Sequence, residues 1–200
     1  MEDEILELLK DKKYARRSME ELALHFNKIE TLDYIDFIKM MNKLENEGII
    51  GRDDKNHYYI NEDLGCFKGI ISINKRGFAF VRVDEEREFY VHETHLKDAF
   101  DKDEVLIQKI KSKGSKEEAK VIRVLRRGQN RYVGEVKKGK RDYIVALDDI
   151  KMKQPIYVDH AHMHGAVVGH KVVVEIKTYK PKLKGDIVKI IGHVNDPGID

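Results

Sequence analysis

At Leu64 the spacing of apolar residues changes. Up to that point they recur at helical intervals; beyond it they fall at every second position in short runs. A period near 3.6 lines one face of a helix and a period of two lines one face of a strand, so the chain changes structural class there. The runs "FKGIISI", "GFAFVRV", "EFYVH" and "DEVLIQKI" are separated by Asn, Asp, Glu and Lys, as in a small antiparallel barrel of five strands. After "KSKGSKEEAK", a second set ("VIRVLRRG", "RYVGEVK", "DYIVALDD", "PIYVD", "KVVVEI" and "GDIVKIIG") repeats the pattern over a similar length.

The first 63 residues predict three helices and a hairpin. Ile5, Leu6, Leu8 and Leu9 mark a first amphipathic helix, and Ser18 with Glu21 forms a capping box for a second that carries Leu22, Leu24 and Phe26. In a third, from about Asp33 to Glu47, Ile35, Ile38, Met41 and Leu44 share a face, and Gly48 is placed to stop the helix. "IIGRDDKNHYYI" then gives two apolar runs around a turn. This is the order of a winged helix-turn-helix, whose nucleic-acid contacts would run through Arg52, Lys55 and His57 of the wing. The expected chain is α+β and multidomain. A winged helix-turn-helix spans 1–63, a first barrel 64–110, a basic bridge 111–127 and a second barrel 128–194; a linker begins at 195–200.

Charge is distributed unevenly. Residues 1–63 hold 10 basic and 16 acidic side chains, 64–108 hold 7 and 9, and 109–200 hold 21 and 11, so the formal net charge of +2 conceals a basic second half. Within 109–141 alone, 13 basic residues face three acidic ones, a local excess that suits a polyanion. The acidic helical module argues against duplex DNA as a partner and leaves room for protein contacts. No run of about 18 apolar residues exists, and "MEDEILELLKDKK" is acidic and amphipathic, unlike a secretory signal. With the lone Cys66, this predicts a cytoplasmic protein without a membrane span.

The stretch "KRGFAFVRVDEEREFYVH" concentrates the chemistry. On an extended strand Phe78 and Phe80 share a face with Arg76 and Arg82, while Gly77, Ala79, Val81 and Val83 form the other, which suits a core. On the next strand Phe89 and Val91 are the apolar pair, leaving Tyr90 and His92 opposite. Aromatic planes beside cations are what single-stranded nucleic acid requires: bases stack on the rings and phosphates pair with Lys or Arg. The predicted RNA-binding residues are Lys75, Arg76, Phe78, Phe80, Arg82, Tyr90 and His92. In the second set, Lys137, Lys138, Lys140 and Arg141 form a hairpin loop suited to phosphate, and Tyr132, Tyr143 and Tyr157 are candidate stacking rings.

"KRGFAFV" followed by "FYVH" resembles the paired RNA-binding motifs of cold-shock domains, which are five-stranded oligonucleotide-binding (OB) barrels. The order of modules is similar to the N-terminal part of bacterial ribonuclease R, with two tandem OB/cold-shock barrels after a winged helix-turn-helix. "GFAFVRVDEEREFYVHETHLKDAFDKDEVLIQ", "GAVVGHKVVVEI" and "GDIVKIIGHVNDPGID" resemble successive segments of that family. The resemblance implies a processive 3'-to-5' exoribonuclease that uses Mg2+ bound by clustered Asp of a catalytic domain, with the cold-shock domains guiding single-stranded RNA. It leaves structured RNA and the ribosome as further candidate partners. No Asp-rich run of that kind occurs here, so the chain is expected to bind RNA without cleaving it, with no catalytic residue and no cofactor of its own. The alternative is a stand-alone RNA chaperone or regulator. A reading frame continuing past Asp200 into an Asp-rich run would separate the two.

"DHAHMHGAVVGH" offers Asp159, His160, His162, His164 and His170, but without a neighbouring Cys it is a surface turn, and no metal site is predicted. No phosphate-binding Gly-rich loop or nucleophile elbow is present.

Overall fold

The computed structural model describes residues 1–11, 16–112 and 114–198. The chain forms two compact units, one of residues 1–72 and 78–126, the other of 73–77 and the chain from 127 onward. In the first unit, helices α1 (Glu2–Lys10), α2 (Met19–His25) and α3 (Thr31–Asn46) precede an antiparallel hairpin of β1 (Ile50–Arg52) and β2 (Tyr58–Ile60). Ser18 Oγ accepts the Glu21 N–H while Glu21 Oε2 accepts the Ser18 N–H, so the capping box starts α2. After α3, Gly48 takes φ +73°, a left-handed conformation that L side chains avoid.

The core of this module joins Ile5 and Leu9 of α1, Leu22 and Ala23 of α2, and Phe37, Met41 and Leu44 of α3 to Ile50, Tyr58 and Ile60. The expected face of α3 is thereby corrected: Ile35 is exposed and Phe37 replaces it, while on α2 Leu24 is exposed. The Phe37 ring lies 6.3 Å from that of Phe26, and positions 37, 41 and 44 share the buried face.

Two barrels follow, each closed by five strands. The first runs β3 (Cys66–Ile73), β4 (Ala79–Arg82), β5 (Glu88–Val91), β6 (Glu104–Ile110) and β7 (Glu118–Arg126), ordered β3-β4-β5-β7-β6 with β6 returning to β3. The second repeats this with β8 (Arg131–Lys138), β9 (Tyr143–Leu147), β10 (Ile156–Val158), β11 (His170–Thr178) and β12 (Lys184–His193), ordered β10-β12-β11-β8-β9. In both, the third and fifth strands run parallel and every other pair of neighbours recorded is antiparallel, which closes the sheet and removes its edges.

One expected boundary moves. Residues 118–126, assigned from sequence to the bridge and the second set, form β7 of the first barrel. Ala119 and Val121 are buried there, and without β7 the first sheet would keep open edges on β5 and β6. β7 also meets the helical module. Arg123 Nη2 donates to the carbonyl of Glu45, and a Cβ on Gly48 would lie 2.9 Å from Leu125 Cδ1.

Gly69 and Gly134 occupy matching places on the first strands of the two barrels. A Cβ on Gly69 would sit 2.5 Å from the Arg82 carbonyl oxygen, and one on Gly134 2.4 Å from that of Ala146. These obstacles are backbone and cannot swing aside. Gly69→Ala and Gly134→Ala should each destabilise their barrel by about 1–3 kcal/mol, read as a lowered urea midpoint of that barrel's amide exchange.

Candidate nucleic-acid interface

β4 and β5 pair with Ala79 opposite Val91, Phe80 opposite Tyr90, and Val81 opposite Phe89. Ala79, Val81, Phe89 and Val91 are almost wholly buried, so the alternate set must face outward. Phe89 stacks on the half-buried Phe67 at 5.2 Å and 20°, and the Arg87 guanidinium lies 5.0 Å from the Phe67 centroid. On the outer side Phe78, just before β4, joins Phe80 and Tyr90 in a half-buried triangle of rings with centroids 5.7–5.8 Å apart. The planes differ by 89° between Phe78 and Phe80, 66° between Phe80 and Tyr90, and 40° between Phe78 and Tyr90.

Cations border this triangle. Arg82 is exposed, and its contact with Glu88 directly across the hairpin is long, 3.6 Å, a surface pair of little energetic weight. Lys116 Nζ lies 5.1 Å from the centroid of Phe80. Sequence reasoning missed Lys116 as a site residue, because only barrel closure brings its loop to β4; the charge excess over 109–141 was its one signal. His92 is exposed, and its Nδ1 accepts the Thr94 N–H, which leaves Nε2 free to meet a ligand. Lys75 and Arg76 are exposed in the turn that leads into Phe78 and group with the second unit; Asn74 Oδ1 accepts the Arg76 N–H and Gly77 takes φ +101°.

The β4–β5 turn sets the register of the rings. Asp84 Oδ1 accepts the N–H groups of Glu86 and Arg87, and Arg87 Nε donates to Asp84 Oδ2 at 2.6 Å. The Arg87 side chain, with these backbone donors, holds the Asp84 carboxyl below the usual carboxylate range.

In the second barrel, β8, β9 and β10 align Lys137, Ile144 and Tyr157 across one outer row. Lys138, Lys140 and Arg141 border a cleft of about 700 Å³ with Ile144, Tyr157 and Lys182. Lys137 lies outside that lining and is 3.6 Å from Glu135. Of the three candidate tyrosines, Tyr132 is corrected to a core residue; Tyr143 and Tyr157 remain half-buried.

Other candidates carry less. In the wing, Arg52 Nε donates to Glu45 at 2.9 Å and His57 is 3.6 Å from Asp53, while Lys55 is exposed. His160 and His162 lie in a single 3-10 turn, with the His162 and His164 rings 6.5 Å apart. Among the described residues no group of three or more His, Cys, Asp or Glu is placed to hold a metal ion, so the Mg2+ that the resemblance implies has no fitting donor set among them. Burial raises the Cys66 thiol, making it a poor nucleophile. No helix among the described residues is long and apolar enough to cross a membrane.

Comparison with known proteins agrees with this geometry. Residues 69–124 match the ribonuclease B OB domain, and residues 144–200 match the cold shock domain. Ribonuclease R 1 of Lactococcus lactis is 28% identical over 98% of this chain, and ribonuclease R of Escherichia coli 27% identical over 92%. The similarity to these ribonuclease R sequences runs along nearly the whole chain. It spans 26% and 23%, about a quarter, of those two relatives. Mycoplasma genitalium RNase R, solved alone and in complex with ribose methylated single-stranded RNA, shares the fold. The TM-score is 0.58 at 24% identity, covering 66% of this chain and 22% of that one. The first domain match ends within β7, in line with the moved boundary of the first barrel.

The depressed Asp84 carboxyl makes the stability of the β4–β5 turn depend on pH. Its contribution is present above the unfolded carboxyl pKa and is lost as pH falls through the lower folded value. Hydrogen exchange at Glu86 and Arg87, corrected for intrinsic rates, should stay protected from about pH 5 to 8 and lose protection only below about pH 4.

Proposed function

We propose that this chain binds single-stranded RNA across the Phe78–Phe80–Tyr90 triangle and guides it toward the catalytic domain of a longer ribonuclease R-type exoribonuclease. The observation that carries the proposal is the mutual tilt of the rings, 40° to 89°. Duplex bases lie nearly parallel, so they cannot stack on three such planes at once. An unpaired strand can splay successive bases onto each. Stacking is indifferent to base identity, and the neighbouring Arg82 and Lys116 meet phosphates, so the strand can slide without losing its hold. The relatives named ribonuclease R and the neighbour solved with single-stranded RNA support the same reading. The cleft around Lys138, Lys140 and Arg141 offers a second place for a phosphate backbone, and catalysis with Mg2+ belongs to the longer enzyme.

Phe78→Ala/Phe80→Ala should weaken binding of a single-stranded oligoribonucleotide by about 2–5 kcal/mol in fluorescence anisotropy, with an unchanged circular dichroism spectrum. Equal binding by the variant, or a preference for duplex DNA over single-stranded RNA, would sink the proposal. With labelled RNA and Mg2+ the chain alone should release no mononucleotide, and release surviving repurification would refute the division of labour.

A further inference from the structure

The two barrels carry the same register, residue for residue, around their third strands. In the first, Phe80 lies opposite Tyr90, Tyr90 is the parallel partner of Glu118, and its N–H donates to the Glu117 carbonyl at 2.9 Å. In the second, Ile144 lies opposite Tyr157, Tyr157 is the parallel partner of Lys184, and its N–H donates to the Leu183 carbonyl at 2.9 Å. The place of Phe80 is thus taken by Ile144 and that of Tyr90 by Tyr157. Lys116 and Lys182 stand at the same offset, two residues before the parallel partner, and each reaches an aromatic ring.

The chemistry at this shared place differs. Lys116 Nζ stands 5.1 Å from the Phe80 centroid, at the border of a three-ring surface, whereas Lys182 Nζ sits over Tyr157 at 3.9 Å. An ammonium that close occupies a face on which a base would stack, and Ile144 supplies no second ring. Around it Lys138, Lys140 and Arg141 line the cleft against a single carboxylate, Asp142. None of these four cations has a carboxylate within 4 Å among the described residues, so their charge is available to a ligand.

We infer that the second barrel holds the sugar-phosphate backbone through Lys138, Lys140, Arg141 and Lys182 without reading bases, because Lys182 closes the ring that a base would use. This rests on the RNA-binding reading of the first barrel and divides the work: rings hold bases in one barrel, and cations hold phosphates in the other. Lys182 is then a specificity-determining residue that keeps the second site blind to bases.

The test uses the whole chain carrying Phe78→Ala/Phe80→Ala, so that remaining binding reports the second barrel. A single-stranded RNA and the same sugar-phosphate strand without bases should bind within about twofold of each other. Adding Lys138→Ala/Arg141→Ala should weaken both at least about fivefold and flatten the dependence of log K on log salt by about 2. Adding Lys182→Ala alone should open the Tyr157 face and favour the base-bearing strand by about threefold or more. A preference above about tenfold for bases with Lys182 in place, or a ratio unmoved by Lys182→Ala, would overturn the inference. Independently, tripolyphosphate titrated into the isotope-labelled wild-type chain should shift the amides of residues 138–142, 157 and 182 and leave Phe78 and Tyr90 unmoved; no response at the cleft also overturns it. A response there, combined with unimpaired RNA binding by Phe78→Ala/Phe80→Ala, would refute the first-barrel reading and leave the cleft standing.

Discussion

The bond from the backbone N–H of a third-strand tyrosine to the carbonyl of the residue just before the fifth strand is the constraint on which both barrels turn. Tyr90 donates to Glu117 and Tyr157 to Leu183, each at 2.9 Å. Without that parallel junction the sheet would keep two open edges and the loop before the fifth strand would hang free. With it, the barrel closes, the tyrosine side chain is set on the outer face, and a lysine from the incoming loop is carried to an aromatic ring. The junction is made of backbone, so it survives wide changes in side chains. That explains how one architecture supports a ring triangle in one copy and a cationic cleft in the other.

Much of this was legible in the sequence because it depends on local periodicity. Ala79, Val81, Phe89 and Val91 alternate with Phe78, Phe80, Tyr90 and His92, and a strand has only two faces on which to sort them. The Ser18–Glu21 cap and the stop at Gly48 were equally local. What escaped was set by closure over long sequence distances. β7 looked like part of a basic bridge because its charges are frequent, although Ala119 and Val121 already mark an inward face. Lys116 and Lys182 gained meaning only when a parallel pairing placed their loops beside rings. Ile35 was misjudged for a different reason: two apolar stripes compete on α3, and only tertiary packing against Phe26 selects Phe37 over Ile35.

On the proposed reading the triangle acts by number: no ring is a strong ligand alone, and a base stacked on one contributes about 1–3 kcal/mol. Half-buried aromatic rings still cost free energy in water, and their mutual edge contacts limit that cost. A surface built in this way would favour retention over recognition.

The contact of β7 with the helical module ties two parts of the first unit to one strand. The strand that seals the first barrel also meets the end of α3, through Arg123 on the Glu45 carbonyl and Leu125 against Gly48. Alternate uses of one strand are thereby coupled: a change in β7 that disturbs barrel closure also disturbs the seat of the turn at which the third helix ends.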